Sequence, residues 1–327
     1  MKVKDIGEQG LLKKLQSFCP HDIIGDDGAV LSMDPKQRLV VTTDILVDGV
    51  HFSERTTPPE SVGWRAVAAN LSDLAAMGAT PLAITVGLAL PGELSVIWVE
   101  QMYKGMSQLL AMYDTAIVGG DICRSEVTTV SITAFGEVYP NHIIRRSTAQ
   151  PGQVIVITGY HGMSRAGLEL LLNPHLRGNV EPQMQVRLID AHQRPLPRLD
   201  VLPHLWEIME THQVAGMDSS DGLADAIVQI CTMSGVGAQI HLSQVPYISS
   251  LSQWVSPEQA LDWVLYGGED FELLLCLSEE VGIKLVKTLG EKARIIGKIV
   301  EQKSVILIHE NQQHQELNLY QGFQHFS

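Results

Sequence analysis

Residues 61–90 read SVGWRAVAANLSDLAAMGATPLAITVGLAL, and the change of rhythm inside this stretch decides the fold class. Up to Gly78 the apolar residues recur at helical spacing. From Pro81 to Leu90 they form a short continuous run with β-branched members, the pattern of a buried strand. Gly78 and Pro81 punctuate the change. The alternation continues outward in both directions. Strand-like runs occur at LVVTTDILV (39–47), TAIVGGD (115–121) and TTVSITAFGEV (128–138), and SVIWVEQMYKGMSQLLAMY (95–113) has helical spacing. Near residues 140–152 Pro, Asn and Gly break the pattern, so two domains are expected, 1–145 and 146–327. The second half begins with a strand, QVIVITG (153–159), and a helix, SRAGLELLL (164–172), then turns polar and Pro-rich over 173–200. A helix near 201–212 follows, and MDSSDGLAD (217–225) opens another, with Ser and Asp where caps and first-turn acids are favoured. Beyond it come AQIHLSQV (238–245), the helix PEQALDWVLY (257–266), the strand FELLLCLS (271–278), a helix near 279–290, and strands at RIIGKIV (294–300) and SVILIHE (304–310). Both halves read as mixed α/β, so the expected fold class is α/β (α+β) in two domains.

The chain has 327 residues, enough for two domains of average size. Its 23 basic and 37 acidic residues leave a formal charge of −14, which argues against a nucleic-acid partner, since phosphate backbones are bound by Lys and Arg surfaces. An acidic protein can still take small phosphates when divalent cations lie between the two. No apolar run reaches the roughly 20 residues that span a bilayer, and the N-terminus has no apolar signal region. Four cysteines without a CxxC pair suggest neither zinc nor a disulfide framework. A cytoplasmic protein with no membrane partner is expected.

The informative charges come in clusters. MDSSDGLAD holds three aspartates in nine residues. GDDGAV (25–30) sets Asp26 and Asp27 between glycines, TTDILVDGVHF (42–52) sets Asp44 inside an apolar strand, and NLSDLAAMGATP (70–81) sets Asp73 on a largely apolar helix. VGGDICRS (118–125) ends a buried-looking strand on Asp121. Taken singly, an Asp at a strand end or helix start is a turn former or cap before it is a ligand. Asp44 and Asp73 are different, because a charge in an apolar element is costly unless paired, hydrogen-bonded or metal-bound. Basic residues near these sites are sparse. Several carboxylates without a cation suit Mg²⁺, which takes oxygen ligands and keeps part of its water shell for phosphate oxygens. No GxxxxGK[ST], kinase HRD or DFG set, GxGxxG, GxSxG or HExxH is present.

Taken in order, GDDGAV, TTDILVDGVHF, NLSDLAAMGATP, VGGD, MDSSDGL and GGEDFELL resemble the thiamine-monophosphate kinase family. That family belongs to a superfamily with aminoimidazole ribonucleotide synthetase, selenophosphate synthetase and a hydrogenase-maturation protein. The resemblance runs from about Gly25 to the terminal GFQHF. It implies the aminoimidazole ribonucleotide synthetase-like fold, a homodimer whose N-terminal domains pair through their sheets, and phosphorylation of thiamine monophosphate by ATP with several Mg²⁺ ions. Carried over, Asp27, Asp44, Asp73, Asp121, Asp218 and Asp221 correspond to metal ligands, with Thr42 and Thr43 adding oxygens. Gly120, Asp121, Arg146 and Ser220 correspond to ATP contacts, and His51, Glu269 and Phe323 to contacts of the thiamine phosphate.

The chemistry of phosphoryl transfer suits these residues. A phosphate oxygen is already a nucleophile, so transfer between two phosphates needs no dedicated base. Positioning and charge neutralisation by metals and an arginine do the work. Arg146 suits bidentate binding of phosphate, with Arg145 one position away. On general grounds Phe323 also reads as a packed tail aromatic, and His51 as a strand-end histidine. Two departures from the family pattern stand out: Ile122-Cys123 where threonines usually follow VGGD, and Met163 where an acid often precedes the serine. Aminoimidazole ribonucleotide synthetase is the nearest enzymatic rival, and a non-catalytic nucleotide sensor is the rival of another class.

Overall fold

The structure is a computed structural model and describes residues 1–20, 28–209, 213–246, 251 and 254–318. The chain divides into two compact units. One comprises Met1–Leu74 and Ala79–Tyr139; the other comprises Ala75–Gly78 and Pro140–Ser327.

The first unit opens with α1 (Val3–Leu15), followed by β1 (Arg38–Val47), α2 (Pro59–Ala76), β2 (Thr80–Leu90), α3 (Val96–Ala111), β3 (Ala116–Arg124) and β4 (Thr129–Val138). Its four strands lie in the order β1-β4-β2-β3, with β2 and β3 parallel and the other pairs antiparallel. Alternation sorts the faces. Val86, Leu88, Leu90, Val130, Ile132 and Ala134 are buried on the helix side, and each such burial contributes about 1–3 kcal/mol. Leu39, Val41 and Ile45, on the other face of β1, are each 52% exposed. The helices cross unusually closely. A Cβ at Gly63 would lie 1.9 Å from the Met102 carbonyl oxygen, and one at Gly105 would lie 1.8 Å from that of Glu60. Only glycine fits there.

The second unit contains β5 (Ile144–Arg145), β6 (Val154–Ile157), α4 (Met163–Leu172), α5 (Pro182–Gln193), α6 (Val201–Ile208), β7 (Val214–Asp218), α7 (Leu223–Ser234), β8 (Gly237–His241), α8 (Pro257–Tyr266), β9 (Leu273–Leu277), α9 (Glu279–Leu289), β10 (Arg294–Val300), β11 (Val305–Ile308) and β12 (His314–Glu316). The eight strands form one mixed sheet, β12-β11-β8-β10-β6-β9-β7-β5. Helices cover both faces of its centre. Ile155 and Ile157 pack with α7 residues Leu223, Ile227 and Ile230, while α9 comes close to Val154 and Val156 through Gly282. Every residue of β6, β7 and β9 is therefore buried, which is why these strands read as apolar runs without alternation. A satellite core under α4, α5 and α8 is built on Leu170, Leu188 and Trp263. No helix of the described residues is long and apolar enough to cross a membrane.

Candidate active site

In the first unit the TTD and NLSD motifs interlock, and their spacing explains how. On β1, Thr42 and Asp44 are two residues apart and face the helix side together. On α2, Asn70 and Asp73 are three apart and share one face. Thr42 Oγ1 donates to Asp73 Oδ2, and the Asp44 amide donates to Asn70 Oδ1 at 3.2 Å. Asn70 is fully buried and gives its own amide hydrogen to the Ala66 carbonyl at 2.9 Å. Asn70 was not among the sequence candidates; only the contact shows why Asn stands three residues before Asp73. Thr43 points to the opposite face, where its hydroxyl meets that of Thr133 at 2.9 Å.

Gly120 and Asp121 stand on β3, at the far edge of the sheet. The register aligns Asp44 with Ile132, Ile132 with Val86, and Val86 with Gly120. Three strand spacings, about 14 Å, separate the rows of Asp44 and Gly120. Asp121, aligned with Gly87, lies on the other face and is exposed. The unit thus brings Thr42, Asp44 and Asp73 together and holds Asp121 apart from them. His51 sits in the turn after β1, where Nδ1 accepts the Val47 amide hydrogen at 3.0 Å. A neutral ring there carries its hydrogen on Nε2. Asp27 and Phe323 lie outside the described residues.

In the second unit the site forms at one end of three neighbouring strands. β9 runs antiparallel to both β6 and β7, so the segments leaving β6 and β7 and the segment entering β9 meet there. Main-chain bonds lace them: Thr158 N to the Leu273 carbonyl at 3.1 Å, Ser219 N to that of Glu272 at 2.9 Å, and Glu269 N to that of Ser220 at 2.6 Å. Asp218 ends β7 and is 1% exposed; Ser220 Oγ lies 3.5 Å from its Oδ1. Asp221 follows, exposed. The GGED segment is bent hard. Gly268, Glu269 and Phe271 have φ of 64°, 59° and 52°, and for Glu and Phe this left-handed conformation costs of order 1–2 kcal/mol each. Such local strain collects at functional sites.

Several polar groups that sequence reasoning missed support this end. Asp270 accepts the amide hydrogens of Gly162 (2.7 Å) and Ser164 (2.9 Å) at the start of α4, an acid at a helix N-terminus supplied from elsewhere in the chain. Desolvation pushes its carboxyl up to about 7, against the pull of those two amides and with a push from Glu272. Glu272 accepts from Thr158 Oγ1 at 2.6 Å and from Arg198 Nη1; burial raises its carboxyl while Arg198 pulls it down. His192, 2% exposed, places Nδ1 3.2 Å from Ser164 Oγ and 3.8 Å from Glu269 Oε2. Arg146 Nη1 donates to Gln229 Oε1 at 2.7 Å, and Gln229 Nε2 donates to Asp225 Oδ2 at 2.5 Å. Asp225 is raised by burial and by Asp221, and lowered by Gln229 and Arg146. It was visible in MDSSDGLAD but not singled out. The others are separated from their partners by tens of residues, so no local signal could have found them.

Among the described residues, no three His, Cys, Asp or Glu side chains stand close enough to hold a metal ion. The donors present at Thr42, Asp44, Asp73, Asp218 and Asp221 are all oxygens. They fit Mg²⁺, which binds through one or two carboxylates and completes its shell with water and phosphate.

Residues 25–138 match the family described as AIR synthase related protein, N-terminal domain, and residues 150–310 match its C-terminal domain. The chain is 49% identical over 328 aligned residues to the thiamine-monophosphate kinase of Synechococcus elongatus, covering 99% of this chain and 98% of that one. Among solved structures it is similar to thiamine-monophosphate kinase from Stenotrophomonas maltophilia K279a, with TM-score 0.79, 32% identity, and 91% and 95% of the two chains covered. It is also similar to AaThiL complexed with AMPPCP and TMP, with TM-score 0.74, 32% identity, and 97% and 98% covered. With both domain profiles matched in order and the likeness running the length of both chains, the chain belongs to the AIR synthase related family and, within it, to the thiamine-monophosphate kinases.

Proposed function

We propose that the chain transfers the terminal phosphoryl group of ATP directly and in line to the phosphate of thiamine monophosphate, giving thiamine diphosphate and ADP, the last step in forming thiamine diphosphate. The observation that carries this reading is the near-full-length likeness to a thiamine-monophosphate kinase. The geometry supports it, because the acceptor is a phosphate, already a nucleophile, and the sites gather carboxylates and hydroxyls suited to positioning and metal binding. Asp27, Asp44, Asp73, Asp121, Asp218 and Asp221, with Thr42, are the residues to hold Mg²⁺. Thr43 takes part through its main chain, since its hydroxyl is turned to Thr133. Bound there, Mg²⁺ would neutralise charge on the transferring phosphoryl group. In the second unit Arg146, steadied by Gln229, and Ser220 are the ATP contacts, and in the first unit Gly120 and Asp121 are. Glu269, His51 and Phe323 take the thiamine phosphate, Glu269 answering its positive ring.

We further place the chain in the cytoplasm as a homodimer. Its cysteines at 19, 123, 231 and 276 are free thiols, in keeping with a reducing compartment. The exposed row Leu39, Val41, Ile45 is the kind of apolar sheet face that a second copy covers.

The test is release of ADP from ATP and Mg²⁺, with and without thiamine monophosphate, for the wild type and Asp218→Asn. Release should require thiamine monophosphate and should fall about 100-fold or more in the variant, the usual cost of removing an electrostatic element of a phosphoryl-transfer site. Release indifferent to thiamine monophosphate would sink the reading.

A further inference from the structure

The buried histidine of the turn between β6 and α4 has no part in the function described above, yet it reaches the centre of the site. His161 is 1% exposed, and its Nε2 lies 3.0 Å from Ser219 Oγ, 58 residues further along the chain. Ser219 stands between Asp218 and Ser220. Its hydroxyl also lies 3.1 Å from the Glu272 carbonyl oxygen. The hydroxyl thus sits between the imidazole and a carbonyl that can only accept, and the tautomer of the ring sets which of the two takes the hydroxyl hydrogen. Burial keeps the ring neutral, with a pKa near 4 and the Gly159 backbone pulling the other way. Ser219 is thereby held by three contacts: its amide and its hydroxyl at the Glu272 carbonyl, and its hydroxyl at His161 Nε2. The Glu272 side chain is itself braced by Thr158 and Arg198.

We infer that His161 is a positioning residue: through Ser219 it fixes the main chain of residues 218–221, and so the direction of the Asp218 and Asp221 carboxylates toward a phosphate-bound divalent cation. The inference rests on the role proposed above for those aspartates. A histidine that only filled space would be replaceable by leucine. Here leucine would leave a buried serine hydroxyl without its imidazole partner, in the one segment where two carboxylates must keep their aim. Groups that orient metal ligands from behind are worth 10–100-fold in metal affinity.

The experiment is calorimetric titration of the full chain with ADP at a series of Mg²⁺ concentrations, read alongside the thermal midpoint. In His161→Leu and in Ser219→Ala, the Mg²⁺ concentration giving half-maximal ADP binding should rise about tenfold. His161→Gln, which can present an amide hydrogen from a similar place, should return to within about threefold of wild type. The double variant should be no worse than His161→Leu alone, because both changes remove one bond. If the variants lower the thermal midpoint but keep the wild-type Mg²⁺ dependence, His161 is a packing residue and the inference is overturned. Should His161→Leu fail to fold, Ser219→Ala removes only one oxygen and reads the same bond. Wild-type ADP binding indifferent to Mg²⁺ would overturn the cation role of the aspartates themselves. A Mg²⁺-dependent wild type with unshifted variants overturns only the role of His161.

Discussion

Replacing Glu269 by glycine should leave the protein at least as stable while impairing catalysis, an unusual pairing that follows from its backbone. At φ 59° a side-chain-bearing residue spends about 1–2 kcal/mol that glycine does not. Glycine gives back about 0.5–1 kcal/mol through the greater freedom of the unfolded chain. The carboxylate's contact with His192 at 3.8 Å involves a side chain 35% exposed, so solvent screens it to a few tenths of a kcal/mol. The main-chain bond from residue 269 to the Ser220 carbonyl survives the change. The sum lies between about zero and +1 kcal/mol in favour of the variant, or a rise of up to ~4 °C in the melting midpoint for a chain of this size. An ordinary exposed Glu→Gly in a helix would instead lose about 1 kcal/mol. Meanwhile kcat/KM for thiamine monophosphate should fall at least about tenfold, the effect of losing roughly 1.4 kcal/mol of interaction with a cationic ring. Glu269→Gln is the control, since it keeps the strain and loses the charge: activity should fall with no gain in stability. Thermal unfolding and the ADP-release assay together decide. A Glu269→Gly protein that melts well below wild type yet retains full activity would refute both the strain argument and the role of the carboxylate.

Two further outcomes are expected. Asp270 titrates near 7 in the fold and near 3.9 in an unfolded chain, so between these values the folded state holds the extra proton. Stability should therefore decline as pH rises from about 4 to 7, by at most ~1.4 kcal/mol per unit, and level off above. The difference in urea midpoint between wild type and Asp270→Asn, followed across that range, should carry this slope; parallel profiles would show that Asp270 ionises normally. Val41→Glu places a charge in the exposed row of β1 and should convert a wild-type dimer to monomer in sedimentation. A wild type that already sediments as a monomer would contradict the homodimer.

The sequence exposed most of the first unit, because its strands have one helix-covered face and its helices one apolar face. The spans expected for β1, β2, β4, α2 and α3 agree with the structure to within a few residues at each end. The strand expected at 115–121 runs on as β3 to Arg124, and the one expected from Phe271 starts as β9 at Leu273, because Phe271 itself is left-handed. β7 escaped notice: VAGMD is short, buried at every position, and broken by a glycine and an aspartate. α5 hid in the polar stretch because, among its residues, only Leu188 and His192 are buried. α1 carries two glycines and is kinked at Gly7. At the site, motif residues were legible because DSSDG and GGED are unusual locally. Their supports were not. Thr158 and Glu272 meet across 114 residues, and Arg198 reaches the same carboxylate across 74. A lone His in GYHGMS says nothing about Ser219 until the strands are paired.

The order of β6, β9 and β7 also shapes how the chain is made. β9 is synthesised after both of its neighbours, yet it lies between them. When residue 218 leaves the ribosome, the two flanking strands exist but their final partner does not. Translating on to residue 277 takes roughly 3–12 s at usual rates. During that interval the inner edges of β6 and β7 present unpaired backbone, the surface on which nascent chains associate wrongly. Premature pairing of the two would also have to be undone to admit the third. Exposure of these edges is thus set by the speed of translation through residues 219–277 and not by the stability of the finished sheet.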